Sequence, residues 1–220
     1  MASTVTELLR RRFGGKKDNG YIKDGLVFHL DGINKGTTDT TKWVDLVGGI
    51  VFTEKNNVSV HGENCINLTN TTFLVGDSMP TLPFTECTIE GASSPCSGWN
   101  FLLLMKRNNV SLYKNSDSRI NGGSGSNHKS ARFSTTQSKI YSCADGNIII
   151  NGVQSLDVTD NNWYGNINLP TINSSNVSTI GYGKTFDLYC IRIYNRLLTI
   201  DEMLHNQRID NERFELGLTI

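Results

Sequence analysis

The sequence predicts an all-β protein: an antiparallel β-sandwich preceded by a short helical arm and closed by a short C-terminal helix. Asparagine, serine, threonine and glycine are plentiful while proline occurs only 4 times in 220 residues, the make-up of many short strands joined by turns. Asp145-Gly146 and Asn151-Gly152 stand on either side of Ile148-Ile149-Ile150, a double hairpin signal. Residues 186 to 194, Phe-Asp-Leu-Tyr-Cys-Ile-Arg-Ile-Tyr, are rich in aromatic and β-branched side chains and apolar in both two-residue series, which marks a central strand. Asp187, Arg192 and Asn195 are the positions there expected to face water. Thr199 and Glu202 follow at capping-box spacing, so that strand is expected to run straight into a short helix.

In chain order, residues 1 to 19 read as an arm and residues 20 to 220 as one sandwich, since 220 residues suffice for a single larger β-domain. Thr4 and Glu7 form a capping box, Gly14-Gly15 stop the helix, and Val5, Leu8, Leu9 and Phe13 make one apolar stripe with Arg10, Arg11 and Arg12 beside it. So short a helix is marginal alone in water, so the arm is expected to fold against a partner. Leu26, Phe28 and Leu30 alternate with Val27, His29 and Asp31, a half-buried strand. Short strands are expected at 43–46, 50–53, 58–60, 65–68 and 72–75. In the next, 84–90, Glu86, Thr88 and Glu90 line one face, read as solvated. Trp99 to Met105 is the longest apolar run and reads as an interior strand, with 110–113 returning beside it. The serine-, asparagine- and glycine-rich stretch 115–130 is expected to be a surface loop, and strand pattern resumes at 132–134 and 139–143.

Charge and motifs exclude several function classes. The formal net charge is zero, but residues 1 to 17 carry Arg10, Arg11, Arg12, Lys16 and Lys17 against Glu7, and residues 199 to 220 carry five acids against Arg208 and Arg213. The body between is nearly neutral, which argues against a nucleic-acid partner. No apolar run approaches the ~20 residues of a membrane span, and no signal-peptide h-region follows the basic residues, so no membrane association is expected and synthesis in a host cytoplasm is. The five cysteines lack any CxxC spacing; they are expected to be unpaired and mostly buried, with Cys87 and Cys96 the one pair to check. The six N-x-[ST] sequons follow from the asparagine-rich composition. His29, His61, His128 and His205 share no metal-binding or triad pattern, and no phosphate-loop or nucleophile-elbow motif occurs. No catalytic or metal-ligating residue is therefore assigned.

The wording IRIYNRLLTIDEM (residues 191 to 203) resembles the closing strand and helix of laminin-G-like, concanavalin A-like lectin/glucanase modules. IIINGVQSL (148 to 156), STIGYG (178 to 183), DGLVFHLDG (24 to 32) and KWVDLVGG (42 to 49) fall in that family's order, and together the matches bracket about residues 21 to 214. The resemblance implies an antiparallel jelly-roll sandwich and glycan or protein binding. Calcium held by loop oxygens is the one cofactor it admits, and by resemblance alone. Glucanases of the superfamily carry E-x-D-x-x-E, whereas here Thr88 stands where the aspartate should, so the chain is expected not to be an enzyme.

Modules of this kind sit in phage fibres, capsid decorations and bacterial surface proteins. With the basic arm and the unpaired cysteines, the expectation is a virion structural protein, a capsid decoration, head-fibre or tail-associated component. Its arm would hold other virion proteins or copies of itself, and its sandwich would meet host-surface glycan. The alternatives are a bacterial carbohydrate-binding module and a degenerate glycoside hydrolase. Sugar sites pair an aromatic platform with amide and carboxylate groups, because a pyranose has one apolar face and a rim of hydroxyls. One run has that chemistry: Asp160, Asn161, Asn162, Trp163 and Tyr164. The competing reading folds Trp163 back to plug the sandwich edge, since large aromatics are mostly buried.

Overall fold

The computed structural model describes residues 20–76, 86–95, 100–105, 110–114, 119–124, 129–132, 139–144, 147–156, 158–160, 178–181 and 185–220. They form two antiparallel sheets and one helix. The seven-stranded sheet runs in the order β1 (Leu26–Asp31), β16 (Phe186–Tyr194), β6 (Thr88–Ser93), β11 (Lys139–Ala144), β12 (Asn147–Ile150), β13 (Val153–Gln154), with β4 (Ile66–Leu68) on the first half of β16. The nine-stranded sheet runs β14 (Val158–Asp160), β10 (Lys129–Arg132), β9 (Arg119–Ser124), β8 (Val110–Lys114), β7 (Asn100–Met105), β15 (Ser178–Ile180), β5 (Leu74–Gly76), β3 (Val51–Glu54), β2 (Lys42–Val44). Helix α1 (Ile200–Arg213) follows β16 directly.

The fold is thus the all-β sandwich expected, with β16 interior and β7 inside the larger sheet. Phe28, Leu30, Phe52, Leu74, Ile89, Leu103, Leu112, Ile148, Ile180, Ile191 and Ile193 meet between the sheets. Gly91 lets them close, because a Cβ there would stand 2.9 Å from Leu112 Cδ2. Both hairpin signals hold: Ala144 pairs with Asn147, and Ile150 with Val153. Asn151 and Gly152 have φ of 51° and 79°, the two positive values a type I′ turn requires. Thr199 caps α1 with the reciprocal Glu202 bond. The opposite end closes on Glu215 at φ 55°, with Leu216 N–H on the Asn211 carbonyl, a Schellman closure with glutamate where glycine is usual.

Four expectations are corrected. Arg192, expected to face water, is 0% exposed, because α1 lies across that face of the seven-stranded sheet. Glu90 is buried under the same helix, and Thr88 under the 196–198 link that leads into it, rather than solvated. Residues 58–60 form no strand. The stretch expected to be a loop at 115–130 contains β9 and the start of β10. It lacks an apolar alternation because Gly122 lies against the other sheet, where a Cβ would be 2.8 Å from Cys143 Sγ; a side chain has no room there.

A register shift in β16 decides its faces. Strict alternation would put Phe186 and Leu188 beside Arg192 and Tyr194. The irregularity between Leu188 and Cys190 against β6 instead aims Phe186 and Leu188 into the core with Ile191 and Ile193, as an extra residue in a strand does. Cys190, Arg192 and Tyr194 then face α1.

Candidate functional site

Among the described residues, the densest cluster of chemistry lies between the seven-stranded sheet and α1. The helix buries Met203, Asn206, Gln207, Asp210 and Arg213, a stripe at helical spacing that is polar but for one residue. Arg192 is its centre. Its Nη1 and Nη2 donate to Asp210 Oδ1 and Oδ2 at 2.7 and 2.5 Å, and its Nε donates to Glu90 Oε2 at 3.0 Å. Asn206 Nδ2 also donates to Glu90 Oε2, at 2.9 Å, and Ser142 Oγ to Glu90 Oε1, at 2.9 Å. Tyr21 Oη donates to Asp210 Oδ1 at 2.6 Å, and Arg192 Cζ stands 4.1 Å over the Tyr21 ring. Arg213 Nη2 donates to Asp31 Oδ2.

Burial pushes the Glu90 and Asp31 carboxyls up, against the pull of Arg192 on the first and Arg213 on the second. The Arg192 guanidinium is held charged: burial disfavours it, but the Asp210 and Glu90 carboxyl groups outweigh burial. His29 lies 3.7 Å from Asp31 Oδ2, yet burial, then Arg192, Lys23 and Arg213, hold its imidazole well below the ordinary range. With every member of the Arg192 triad 0% exposed, this cluster offers no face to a substrate. It orients α1 and rules out Glu90 as a solvent-facing carboxylate of a hydrolase.

The network also fixes residues 20 to 22, the first described residues. His205 Nε2 lies 2.6 Å from the Gly20 carbonyl, Ile22 N–H donates to Asn206 Oδ1 at 3.1 Å, and Tyr194 Oη donates to the Ile22 carbonyl at 3.1 Å. Residues 20 to 22 are therefore bound to α1 on the outer side of the seven-stranded sheet. The arm residues Val5, Leu8, Leu9, Arg10, Arg11, Arg12 and Phe13 lie outside the described residues.

Of the ligand-loop residues, Asp160 ends β14, the edge strand of the nine-stranded sheet, opposite Lys129. Asn161, Asn162, Trp163 and Tyr164 lie outside the described residues. The chain re-enters at β15, with β10, β9, β8 and β7 between it and β14, five strand spacings or about 24 Å away. Among the described residues, β13 and β14 are the last strands of their sheets on this side. Val153 is 68% and Leu156 99% exposed there. The other side is closed: Asp45 Oδ1 accepts from His29 N–H at 2.7 Å, and Leu46 N–H donates to the His29 carbonyl at 2.8 Å. Among the described residues no group of three or more His, Cys, Asp or Glu could hold a metal ion; Cys65, Cys143 and Cys190 are free and buried, and Cys87 is buried.

Sequence reasoning missed the buried network. Two signals could have found it: an arginine set among Ile191, Ile193 and Tyr194 in the apolar half of β16, and the polar set 206, 207, 210, 213 on one helix face.

No family model and no curated relative matches the chain. Its backbone is similar to the binding domain of botulinum neurotoxin serotype D, with TM-score 0.59 and 10% identity over 85% of this chain and 52% of that one. It is also similar to a botulinum neurotoxin type C structure whose cell entry is described as dependent upon interaction with two ganglioside molecules, with TM-score 0.56 and 12% identity over 86% and 51%. Trypanosoma rangeli sialidase in complex with 2,3-difluorosialic acid matches at TM-score 0.51 and 12% identity over 84% and 33%. The chain thus spans about half the toxin chains and a third of the sialidase. At these identities the likeness is one of fold.

Proposed function

We propose that this chain is a non-enzymatic glycan-binding module of a virion, a sandwich held to other virion proteins or to copies of itself by its basic arm and turned toward host-surface glycan. The observation that carries the reading is the opposition of two roots. The arm joins at Gly20 to Ile22, outside the seven-stranded sheet and against α1. The aromatic, amide-rich loop begins at Asp160 on the edge of the other sheet. An anchor and a contact surface on opposite layers, with sheets stacked about 10 Å apart, is the arrangement a displayed binding module needs. Val153 and Leu156, exposed in the stretch that leads into β14, add apolar surface on which a sugar face can rest.

The ganglioside interaction described for one fold neighbour and the difluorosialic acid held by another make sialylated glycans the first class to try. The match to a third of the sialidase supports no hydrolysis. The test is a glycan array carrying sialylated and ganglioside headgroups, probed with the full chain and with Trp163→Ala. Binding by the full chain, abolished in a variant whose melting temperature is unchanged, supports the reading. No binding to any glycan, or a variant that loses stability by the roughly 3–5 kcal/mol of a core tryptophan, overturns it.

A further inference from the structure

Asn151-Gly152, the turn between β12 and β13, carries a reaction of its own. An asparagine followed by glycine can cyclise: the glycine amide nitrogen gives up its proton and attacks the asparagine carboxamide carbon. The new N–C bond closes a five-membered succinimide, and the carboxamide nitrogen leaves as ammonia. Water then opens the ring at either carbonyl, giving aspartate or isoaspartate. Neither an oxidant nor a cofactor is required.

Both reacting groups are held in this fold. Gly152 N–H donates to Gln207 Oε1 at 2.8 Å, and the Asn151 side-chain oxygen accepts from Ile140 N–H at 2.8 Å. Gln207 is fully buried. Its amide N–H groups go to Ser142 Oγ and the Ile149 carbonyl at 2.9 and 3.0 Å, which leaves its oxygen for Gly152. Ile220 closes the outer side, 2.8 Å from where a Gly152 Cβ would be. The proton that must leave is therefore bound by a side chain of α1, and through Ser142 that side chain is tied to Glu90 and Arg192.

We propose that Asn151 is a latent self-modification site, kept unreactive while α1 is seated and deamidated when Gln207 leaves Gly152. The change is irreversible. It adds a carboxylate at the turn, and the isoaspartate form adds a backbone carbon to a two-residue loop whose register the hairpin depends on. A single lifting of α1 long enough for the reaction leaves a permanent mark on the chain.

The experiment incubates the full chain at mildly alkaline pH in a series of urea concentrations, then maps peptides by mass spectrometry for amide-to-acid conversion and isoaspartate. Asn121, which precedes Gly122 inside β9, is the internal reference for global unfolding. In the absence of urea Asn151 should convert at least about tenfold more slowly than in the unfolded chain, the ratio set by one hydrogen bond of ordinary net strength. Its rate should rise at urea concentrations below those that release Asn121. Conversion of Asn151 at the unfolded rate in the absence of urea, or a rise only together with Asn121, overturns the proposal. In a folded Gln207→Ala chain the Asn151 rate should rise about tenfold with Asn121 unchanged, and an unchanged Asn151 rate also overturns it. If that variant does not fold, the urea series on the natural chain decides.

Discussion

Tyr21 Oη donates to Asp210 Oδ1 at 2.6 Å across 189 residues of sequence, and that same carboxylate takes both terminal nitrogens of Arg192. The first described segment and the last helix are thus joined at one buried anion. Anything that displaces Tyr21 acts on α1 and, through Arg192, on the central strand.

Arg192→Met should lower stability in urea unfolding by about 3–5 kcal/mol, because it leaves Glu90 and Asp210 buried without their cation. Adding Glu90→Gln and Asp210→Asn should recover part of that loss, since the uncompensated charges then disappear. A single variant as stable as the natural chain would mean that water reaches the site.

Truncation should separate the arm from its root. Removing residues 1–17 should leave the unfolding midpoint unchanged and abolish assembly with the arm's partner, as seen by light scattering or virion incorporation. Removing residues 1–22 should in addition cost stability, of which the Tyr21 hydrogen bond to a charged group contributes about 1.5–3 kcal/mol. Assembly that survives the shorter deletion would remove the anchoring role.

Stability should fall on mild acidification through His29. The folded state keeps it neutral, well below the ordinary range, through burial and then Arg192, Lys23 and Arg213. The unfolded chain takes up the proton below pH ~6.5, so acid favours unfolding by up to about 1.4 kcal/mol per pH unit from this one group. Glu90 and Asp31, raised by burial, act in the other sense: their contribution is full at low pH and is lost as pH rises through the raised folded values. Urea unfolding of the natural chain and His29→Leu between about pH 5 and 8 should give curves that diverge with pH below ~6.5. Parallel curves would show that His29 ionises in place.

Thiol titration should find no reactive cysteine among Cys65, Cys87, Cys143 and Cys190 in the native protein, and all five thiols after denaturation. Burial pushes the Cys65 and Cys143 thiols up, which suppresses the thiolate. A shortfall after denaturation would reveal a disulfide and an oxidising compartment.

The sequence by itself determined the elements that rest on local chemistry. Thr199 and Glu202 cap a helix wherever they stand three apart, Asn151-Gly152 turns a hairpin because both residues tolerate positive φ, and residues 186–194 make a strand because aromatic and β-branched side chains suit one. The candidate ligand loop was legible only as composition, with Asp160 placed at a sheet edge by β14 pairing. Which face of β16 meets the core was decided by the register shift near Leu188, a property of its pairing with β6 that alternation in one strand does not contain. Arg192 and Glu90 look solvent-seeking in isolation because a lone buried charge is prohibitive. They are buried because α1 brings Asp210 and Asn206 to them from distant sequence, and only the tertiary structure supplies those partners.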